Sequence, residues 1–120
     1  MKIISYTAFV PHTAGPIHEV KANLFRVLGH PARVRILELL RDGERSVGAL
    51  QEELGLDSGG TSQHLAALRR VGVVESRREG TSVYYRVEDA RVFDLLEAGR
   101  AIIARQLSQQ QALLQDLGAA

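Results

Sequence analysis

The 120-residue chain contains no cysteine and no tryptophan. Without cysteine, it cannot form disulfides, bind a metal through thiolates, or use a thiol as a nucleophile or redox sensor. It also lacks an uninterrupted apolar run of roughly 18 residues, the length that marks a membrane-spanning helix. The apolar stretch at the amino terminus is too short and too interrupted for a signal peptide. We therefore expect a soluble, cytoplasmic protein with no membrane partner.

The charges of the chain nearly balance, but they are unevenly distributed. The net charge is +1, yet residues 58–86 contain five basic and two acidic residues, whereas residues 87–120 contain three basic and five acidic ones. Hydrophobic residues make up 45% of the sequence, which is enough to form the core of one small domain. The excess of positive charge therefore lies in the middle of the chain.

Apolar spacing and capping residues predict three helices in the first half of the chain. The first is expected at residues 16–28 and the second at residues 31–43, each between a proline and a glycine. The third is short, because Ser46 is its N-cap and Gly55 closes it.

A fourth helix follows the N-cap residue Asp57 and is expected to stop at Gly72. Its inner side is formed by Leu65 and Leu68, with Thr61 one turn earlier.

The remainder of the chain predicts a hairpin and one long helix. Two β-rich runs at residues 73–78 and 81–87 flank an acidic-glycine turn, a pattern typical of a β-hairpin. From residue 89 to about residue 117 the apolar spacing is helical. The apolar stripe of this helix consists of Val92, Leu96, Ile103, Leu107, Leu114 and Leu117, with Leu95 and Ile102 beside it. One small domain cannot bury this stripe alone, so we expect it to pack against a second copy of the chain.

The third and fourth helices form a helix-turn-helix, which the hairpin follows directly. This order predicts a mainly helical α+β fold, a winged helix-turn-helix whose wing is the hairpin. In helix-turn-helix proteins the second helix of the pair enters the major groove of DNA, where glutamine and serine can read base edges and arginine contacts phosphates. The expected DNA-binding residues are Ser58, Gly59, Gly60, Ser62, Gln63, His64, Arg69, Arg70, Arg77 and Arg78.

Three stretches of the chain resemble the ArsR/SmtB family of winged-helix transcriptional repressors. They are LGHPARVRILELL, LGLDSGGTSQHLAALRRVGVV and REGTSVYYRV, which are similar to the opening helix, the recognition helix and the wing of that family. The resemblance implies a homodimeric repressor that releases operator DNA when an effector binds. It also carries the base-reading role onto Ser58, Ser62 and Gln63.

The two glycines of the fourth helix depart from the family, which usually has side chains there. Gly59 and Gly60 stand in the first turn, although glycine in a helix costs about 1 kcal/mol relative to alanine. One interpretation is that they let backbone N–H groups at the positive end of the helix approach a phosphate closely. The other is that a frayed first turn merely tolerates glycine. The sequence leaves both interpretations open.

The metal sites of the resembled family do not carry over to this chain. Where one family site has a pair of cysteines, this sequence has Ser46 and Gly48. The positions of a second site hold Asp89, Arg91, Ile102 and Arg105, of which only the aspartate can bind a cation. We therefore expect no metal and no cofactor.

Together these patterns predict an arm at residues 1–15, a winged helix-turn-helix DNA-binding domain at residues 16–88 and a dimerisation helix at residues 89–120, within a single domain. The expected function is that of a homodimeric repressor of transcription that binds double-stranded operator DNA and pairs through its first and last helices. Its effector is unknown.

Two alternatives stay open. One is a metal-responsive repressor that uses an unrecognised histidine and carboxylate site, for which His12 and His18 with Glu19 are candidates. The other is a winged-helix protein-interaction module that does not bind DNA. An enzyme is not expected, because the sequence shows no nucleophile–base pair, phosphate-binding glycine loop or paired carboxylates.

Overall fold

The computed structural model of the chain describes residues 15–119. The predicted arm at residues 1–15, including His12, therefore lies almost wholly outside the described residues. The chain divides into two compact units, and the boundary falls between Ala90 and Arg91.

The first unit contains four helices and a small sheet, and the second unit is one long helix. In chain order the elements are α1 (Ile17–Leu28), α2 (Pro31–Leu39), a 3-10 turn (Leu40–Asp42), β1 (Arg45–Ser46), α3 (Val47–Leu54), α4 (Ser58–Arg70), β2 (Glu75–Glu79), β3 (Ser82–Arg86) and α5 (Arg91–Ala119). The predicted fold class, mainly helical with a hairpin wing, is confirmed.

Side-chain caps fix the starts of three helices. The imidazole Nδ1 of His30 accepts the N–H of Ala32 at 3.1 Å at the start of α2, and Ser46 Oγ accepts the N–H of Ala49 at 3.1 Å at the start of α3. Asp57 Oδ1 accepts the N–H of Gly60 at 2.7 Å at the start of α4. Each cap satisfies a first-turn donor that the helix itself leaves without a partner. The caps predicted at Ser46 and Asp57 are confirmed.

The core of the first unit is formed by α2, α3 and α4. The largest completely buried side chains are Ile36, Leu37, Leu50, Leu65, Leu68 and Thr61. α1 adds Val27 and Leu28 from its last turn. Three of the completely buried residues lie on α4. Their burial determines which side of this helix packs on the core and which side is exposed to solvent.

The second helix is shorter than predicted. α2 ends at Leu39, and the chain tightens into a 3-10 turn before Gly43, which has a φ of 130°. Tightening of the last turn is common at helix ends. It leaves both Leu39 and Leu40 buried, with 8% and 2% of their surface exposed.

The wing is part of a three-stranded antiparallel sheet in the order β1-β3-β2. The hairpin strands pair from Glu75 with Arg86 to Glu79 with Ser82, so that Gly80, with a φ of 61°, lies in a two-residue turn. The first strand, Arg45–Ser46, pairs with Tyr85 and Tyr84 and was not predicted. Two residues are too few for a period-two pattern to reveal a strand.

The last helix extends over 29 residues and has many exposed apolar side chains. Those with the largest exposed fractions are Ile102, Ile103, Leu107, Leu113, Leu114 and Leu117, at 56–68%. Neither α5 nor any other helix within residues 15–119 combines the length and apolar character needed to cross a bilayer.

Candidate nucleic-acid interface

α4 presents a polar side to solvent over its first two turns. Thr61, Leu65 and Leu68 are completely buried, and Ser58, Gly59, Ser62 and Gln63 are exposed. The turn from α3 to α4 is held by Gly55, whose φ of 65° lies in the left-handed region that glycine favours. The structure thus brings four of the residues expected to contact DNA together on one accessible surface.

The start of α4 is capped by both the backbone and the side chain of Asp57. The Asp57 carbonyl oxygen accepts both the N–H of Thr61 at 3.1 Å and its hydroxyl at 3.0 Å. The Asp57 carboxylate accepts the N–H of Gly60 at 2.7 Å. A Cβ atom added at Gly60 would lie 3.0 Å from that carboxylate oxygen, whereas one at Gly59 would be at an ordinary 3.8 Å.

The two glycines therefore have different roles. Gly60 donates its N–H to the capping carboxylate, and a Cβ there would force that carboxylate to move by a few tenths of an ångström. Gly59 has no such steric requirement. Since the N–H of Gly60 donates to Asp57, the prediction that a glycine N–H approaches a phosphate now concerns Gly59, and it stays a prediction.

His64 points from α4 towards α2. Its Nδ1 accepts a hydrogen bond from Arg33 Nε at 3.2 Å, and its ring centroid lies 4.4 Å from that of His30. Burial, followed by the nearby charges of His30 and Arg33, lowers the pKa of His64 below 6.5. A neutral, accepting His64 thus joins α4 to α2, and its predicted contact with DNA stays a prediction.

The two arginines at the end of α4 differ in their surroundings. Arg70 is exposed, and its Nε donates to the carbonyl of Ala66 at 3.3 Å. Arg69 is half-buried, and its buried Nε has no hydrogen-bond partner within the described residues. Of the two, Arg70 has the side chain better placed for a phosphate.

The two arginines of the wing lie on opposite sides of the hairpin. Arg77 donates to both carboxylate oxygens of Glu44, at 2.8 and 2.5 Å, and to Glu79 at 2.8 Å. Its guanidinium also stacks 4.4 Å from the ring centroid of Tyr84, the residue that it faces across the hairpin. Only 14% of its side chain is exposed. Arg78, the next residue along the strand, is exposed.

The sequence predicts a phosphate contact for Arg77, and this stays a prediction. Its guanidinium is committed within the protein to the base of the wing, so the interface proposed below is built without it.

Sequence reasoning missed Arg33 and Glu44, which hold other site residues in place. Arg33 lies on α2 three residues before the buried Ile36, and besides its bond to His64 it donates to the carbonyl of Val27 at 3.3 Å. The spacing of Arg33 from the core positions of α2 was the available signal that its side chain has a hydrogen-bond partner within the protein. Glu44 comes just before a two-residue strand, and no local pattern pointed to Arg77, which lies 33 residues away.

Within residues 15–119, no group of three or more histidine, cysteine, aspartate or glutamate side chains is arranged to hold a metal ion. The alternative site that involves His12 lies partly outside the described residues.

Comparison with known proteins shows the same architecture. Residues 30–76 match the family model described as bacterial regulatory protein, arsR family. The chain is 46% identical over 105 residues to the uncharacterized HTH-type transcriptional regulator Rv0081 of Mycobacterium tuberculosis, covering 87% of this chain and 92% of that protein. It is 36% identical over 104 residues to the biofilm growth-associated repressor of Xylella fastidiosa, covering 83% and 91% of the two chains.

Solved structures agree with the sequence matches. The crystal structure of M. tuberculosis Rv0081 superposes with a TM-score of 0.73 at 44% identity, covering 81% of this chain and 98% of that one. The solution structure of the homodimeric winged helix-turn-helix DNA-binding domain of Mb0332 from Mycobacterium bovis superposes with a TM-score of 0.69 at 30% identity, covering 82% and 95%. From the winged helix-turn-helix, the sequence matches and these superpositions, we conclude that the chain belongs to the arsR family of bacterial regulatory proteins.

Proposed function

We propose that this protein is a homodimeric, sequence-specific DNA-binding repressor of transcription that acts in the cytoplasm. The observation that carries the proposal is the orientation of α4, whose buried Thr61, Leu65 and Leu68 leave Ser58, Ser62 and Gln63 exposed together. Those side chains have the donors and acceptors that read base edges in the major groove. The relative in Xylella fastidiosa is a repressor by name, which supports the same role here.

The contacts divide by chemistry into base reading and phosphate binding. Gln63 is the residue suited to adenine, because its amide donates and accepts side by side, while Ser58 and Ser62 serve as donors or acceptors. Arg70 and Arg78 are exposed cations that bind phosphates. Because Gly59 has no side chain, direct base reading by this helix is sparse.

The homodimer is supported by exposed apolar side chains on the first and last helices. On α1, Ile17 and Phe25 have 66% and 57% of their surface exposed, and on α5, Leu107 and Leu114 have 59% and 68%. Large exposed apolar surfaces of this kind mark interaction sites. The homodimeric state of the Mb0332 domain also supports pairing of this chain. Two α4 helices would then enter successive major grooves about 34 Å apart on an imperfect palindrome.

The test is selection of bound fragments from random duplex DNA, followed by affinity measurements on the enriched sequence. Gln63→Ala is expected to cost about 1–3 kcal/mol on that sequence and to relax the preference at one base pair in each half-site. Gln115→Ala removes an exposed glutamine from α5 and serves as the matched control, with unchanged preference. Equal weakening of Gln63→Ala on selected and random DNA would contradict the base-reading role.

Salt dependence separates this function from that of a protein-interaction module. If the dimer neutralises about six to ten phosphates, the logarithm of the affinity should fall with the logarithm of the salt concentration at a slope near −5 to −9. Absence of DNA retention at low salt, with no enriched sequence, would overturn the proposal.

A further inference from the structure

The start of α4 contains one charged side chain that the proposed function has not used. Asp57 is the only aspartate, glutamate, lysine or arginine between Glu53 and Arg69. It is exposed, and it immediately precedes the exposed Ser58. A protein that brings this end of the helix into a groove lined by phosphates thus brings a carboxylate with it.

The carboxylate is held in one position by the hydrogen bonds that Asp57 accepts. Its Oδ1 accepts the N–H of Gly60 at 2.7 Å, and the backbone carbonyl of Asp57 accepts two hydrogen bonds from Thr61. Thr61 is itself completely buried, which ties this anchor to the core. A Cβ added at Gly60 would lie 3.0 Å from Oδ1, so a side chain there would displace the carboxylate by a few tenths of an ångström. With Oδ1 committed to the cap, the remaining lone pairs of the carboxylate accept hydrogen bonds only.

A carboxylate in the major groove is repelled by phosphates and by base atoms that accept hydrogen bonds. It is favourable only opposite an amino group that donates. The major groove offers such donors at cytosine N4 and adenine N6, and adenine presents its N7 acceptor beside the donor, which suits an amide rather than a carboxylate. Aspartate therefore pairs best with cytosine.

We propose that Asp57 determines specificity, by requiring cytosine at one base pair of each half-site and by rejecting bases that present acceptors at that position. This assignment rests on the proposed DNA binding. The cap of α4 thus has two roles, since one oxygen orders the helix while the charge of the same group selects the base.

The test compares the sequences selected by the wild-type protein, Asp57→Asn and Asp57→Ser. Asparagine and serine are both good N-cap residues, so the start of α4 is retained, whereas the negative charge is lost. Asp42→Asn, which neutralises an exposed acid in the 3-10 turn, is the matched control. Thermal unfolding of each variant checks that the fold is intact.

The expected result is a change at one symmetric pair of positions. Discrimination for cytosine there should fall about 10-fold or more in both Asp57 variants, while all other positions keep their wild-type preference. Binding to random duplex should become tighter, because two negative charges per dimer are removed from near the phosphates. Asp42→Asn should select the wild-type sequence.

Identical base preferences at every position in the wild type and both Asp57 variants would overturn the assignment and leave Asp57 as a cap only. That outcome would leave the proposed DNA-binding function standing. A wild-type protein that enriches no sequence would overturn the proposed function and this assignment together.

Discussion

Arg33 Nε donates to His64 Nδ1 at 3.2 Å and thereby joins α2 to the helix that carries the proposed base-reading residues. The bond requires an imidazole that is neutral at Nδ1. Burial, then the charges of His30 and Arg33, hold the pKa of His64 below 6.5. Protonation of His64 would remove the acceptor and place a cation beside Arg33.

A pH-dependent stability follows from this pair. The folded state binds the His64 proton less readily than the unfolded state does. Neutral His64 therefore makes its full contribution to the free energy of unfolding above pH 6.5. That contribution is lost as the pH falls from 6.5 towards the lower pKa of the folded state. His64→Gln keeps an acceptor for Arg33 but cannot be protonated. Its free energy of unfolding should decrease less than that of the wild type between about pH 7.5 and about pH 5.5 in urea titrations.

His18→Gln, which replaces an exposed histidine of α1, is the control for that experiment. An unchanged pH dependence in His64→Gln would show that other groups cause the acid destabilisation.

The paired glycines of α4 should respond differently to alanine. Gly59→Ala gains helix propensity with its Cβ in ordinary contact, so its free energy of unfolding should rise by about 0.5–1 kcal/mol. Gly60→Ala gains the same propensity but brings its Cβ to 3.0 Å from the capping oxygen of Asp57, so weakening of the cap should cancel the gain. Chemical denaturation measures both, and equal gains would show that the carboxylate gives way without cost.

Arg77 and Arg78 form a second matched pair, since they are neighbours on one strand with opposite surroundings. Arg77→Ala removes hydrogen bonds to two carboxylates, those of Glu79 and of Glu44, whose side chain is only 22% exposed. We expect a loss of about 2 kcal/mol in the free energy of unfolding. Arg78→Ala should change stability by less than about 0.5 kcal/mol.

For DNA affinity the order of the two variants should reverse, with the larger loss in Arg78→Ala. Arg78→Ala should weaken binding to all sequences and reduce the magnitude of the salt slope by about one for each phosphate that the variant no longer neutralises. A weakening confined to the selected sequence would instead indicate that Arg78 reads bases. The measurement is titration of selected and random duplexes at several salt concentrations.

The apolar stripe of α5 predicts the effect of substitutions on dimerisation. Ile103, Leu107, Gln110, Leu114 and Leu117 follow one another at alternating spacings of four and three, as in a helix that packs along its length against a second helix. Leu107→Glu should raise the dimer dissociation constant by at least about 100-fold, because the lost burial counts once in each protomer. Ser108→Glu, on the neighbouring polar side, should leave it nearly unchanged.

Gln110→Leu should lower the dimer dissociation constant, whereas Leu107→Glu raises it. The reason is that a polar residue within such a stripe lowers the stability of the paired helices. Sedimentation equilibrium over a range of concentrations measures all three variants. A monomeric wild-type protein, or equal effects of Leu107→Glu and Ser108→Glu, would contradict pairing through this side of α5.

The helices were predictable from the sequence because their signals are local. Ser46, Gly55 and Asp57 mark helix ends within a few residues of the apolar spacing that they delimit, and the structure has caps at all three. The outward position of Gln63 also followed, since Leu65 and Leu68 fixed the inner side of α4.

The parts that escaped prediction depend on interactions between distant residues. β1 exists only because β3 pairs with it, and Arg77 is withdrawn from solvent by Glu44 rather than by its sequence neighbours alone. The pairing of Arg33 with His64 joins residues 31 positions apart. A single sequence contains both residues of each such long-range contact, but it carries no signal that shows which residues contact each other.

Ser46 has two structural duties, because it pairs with Tyr84 in the sheet and accepts the N–H of Ala49 at the start of α3. Movement of the hairpin away from the helices would break one of these two contacts. The hairpin and α4 are therefore already oriented relative to each other before they meet a duplex. A helix and hairpin that are already in their binding orientation lose little conformational freedom when they bind DNA. They therefore have little capacity to adapt to a misaligned half-site. Under the proposed pairing of two copies through their first and last helices, changes in the spacing between half-sites would have to be absorbed by bending of the DNA or by those helices.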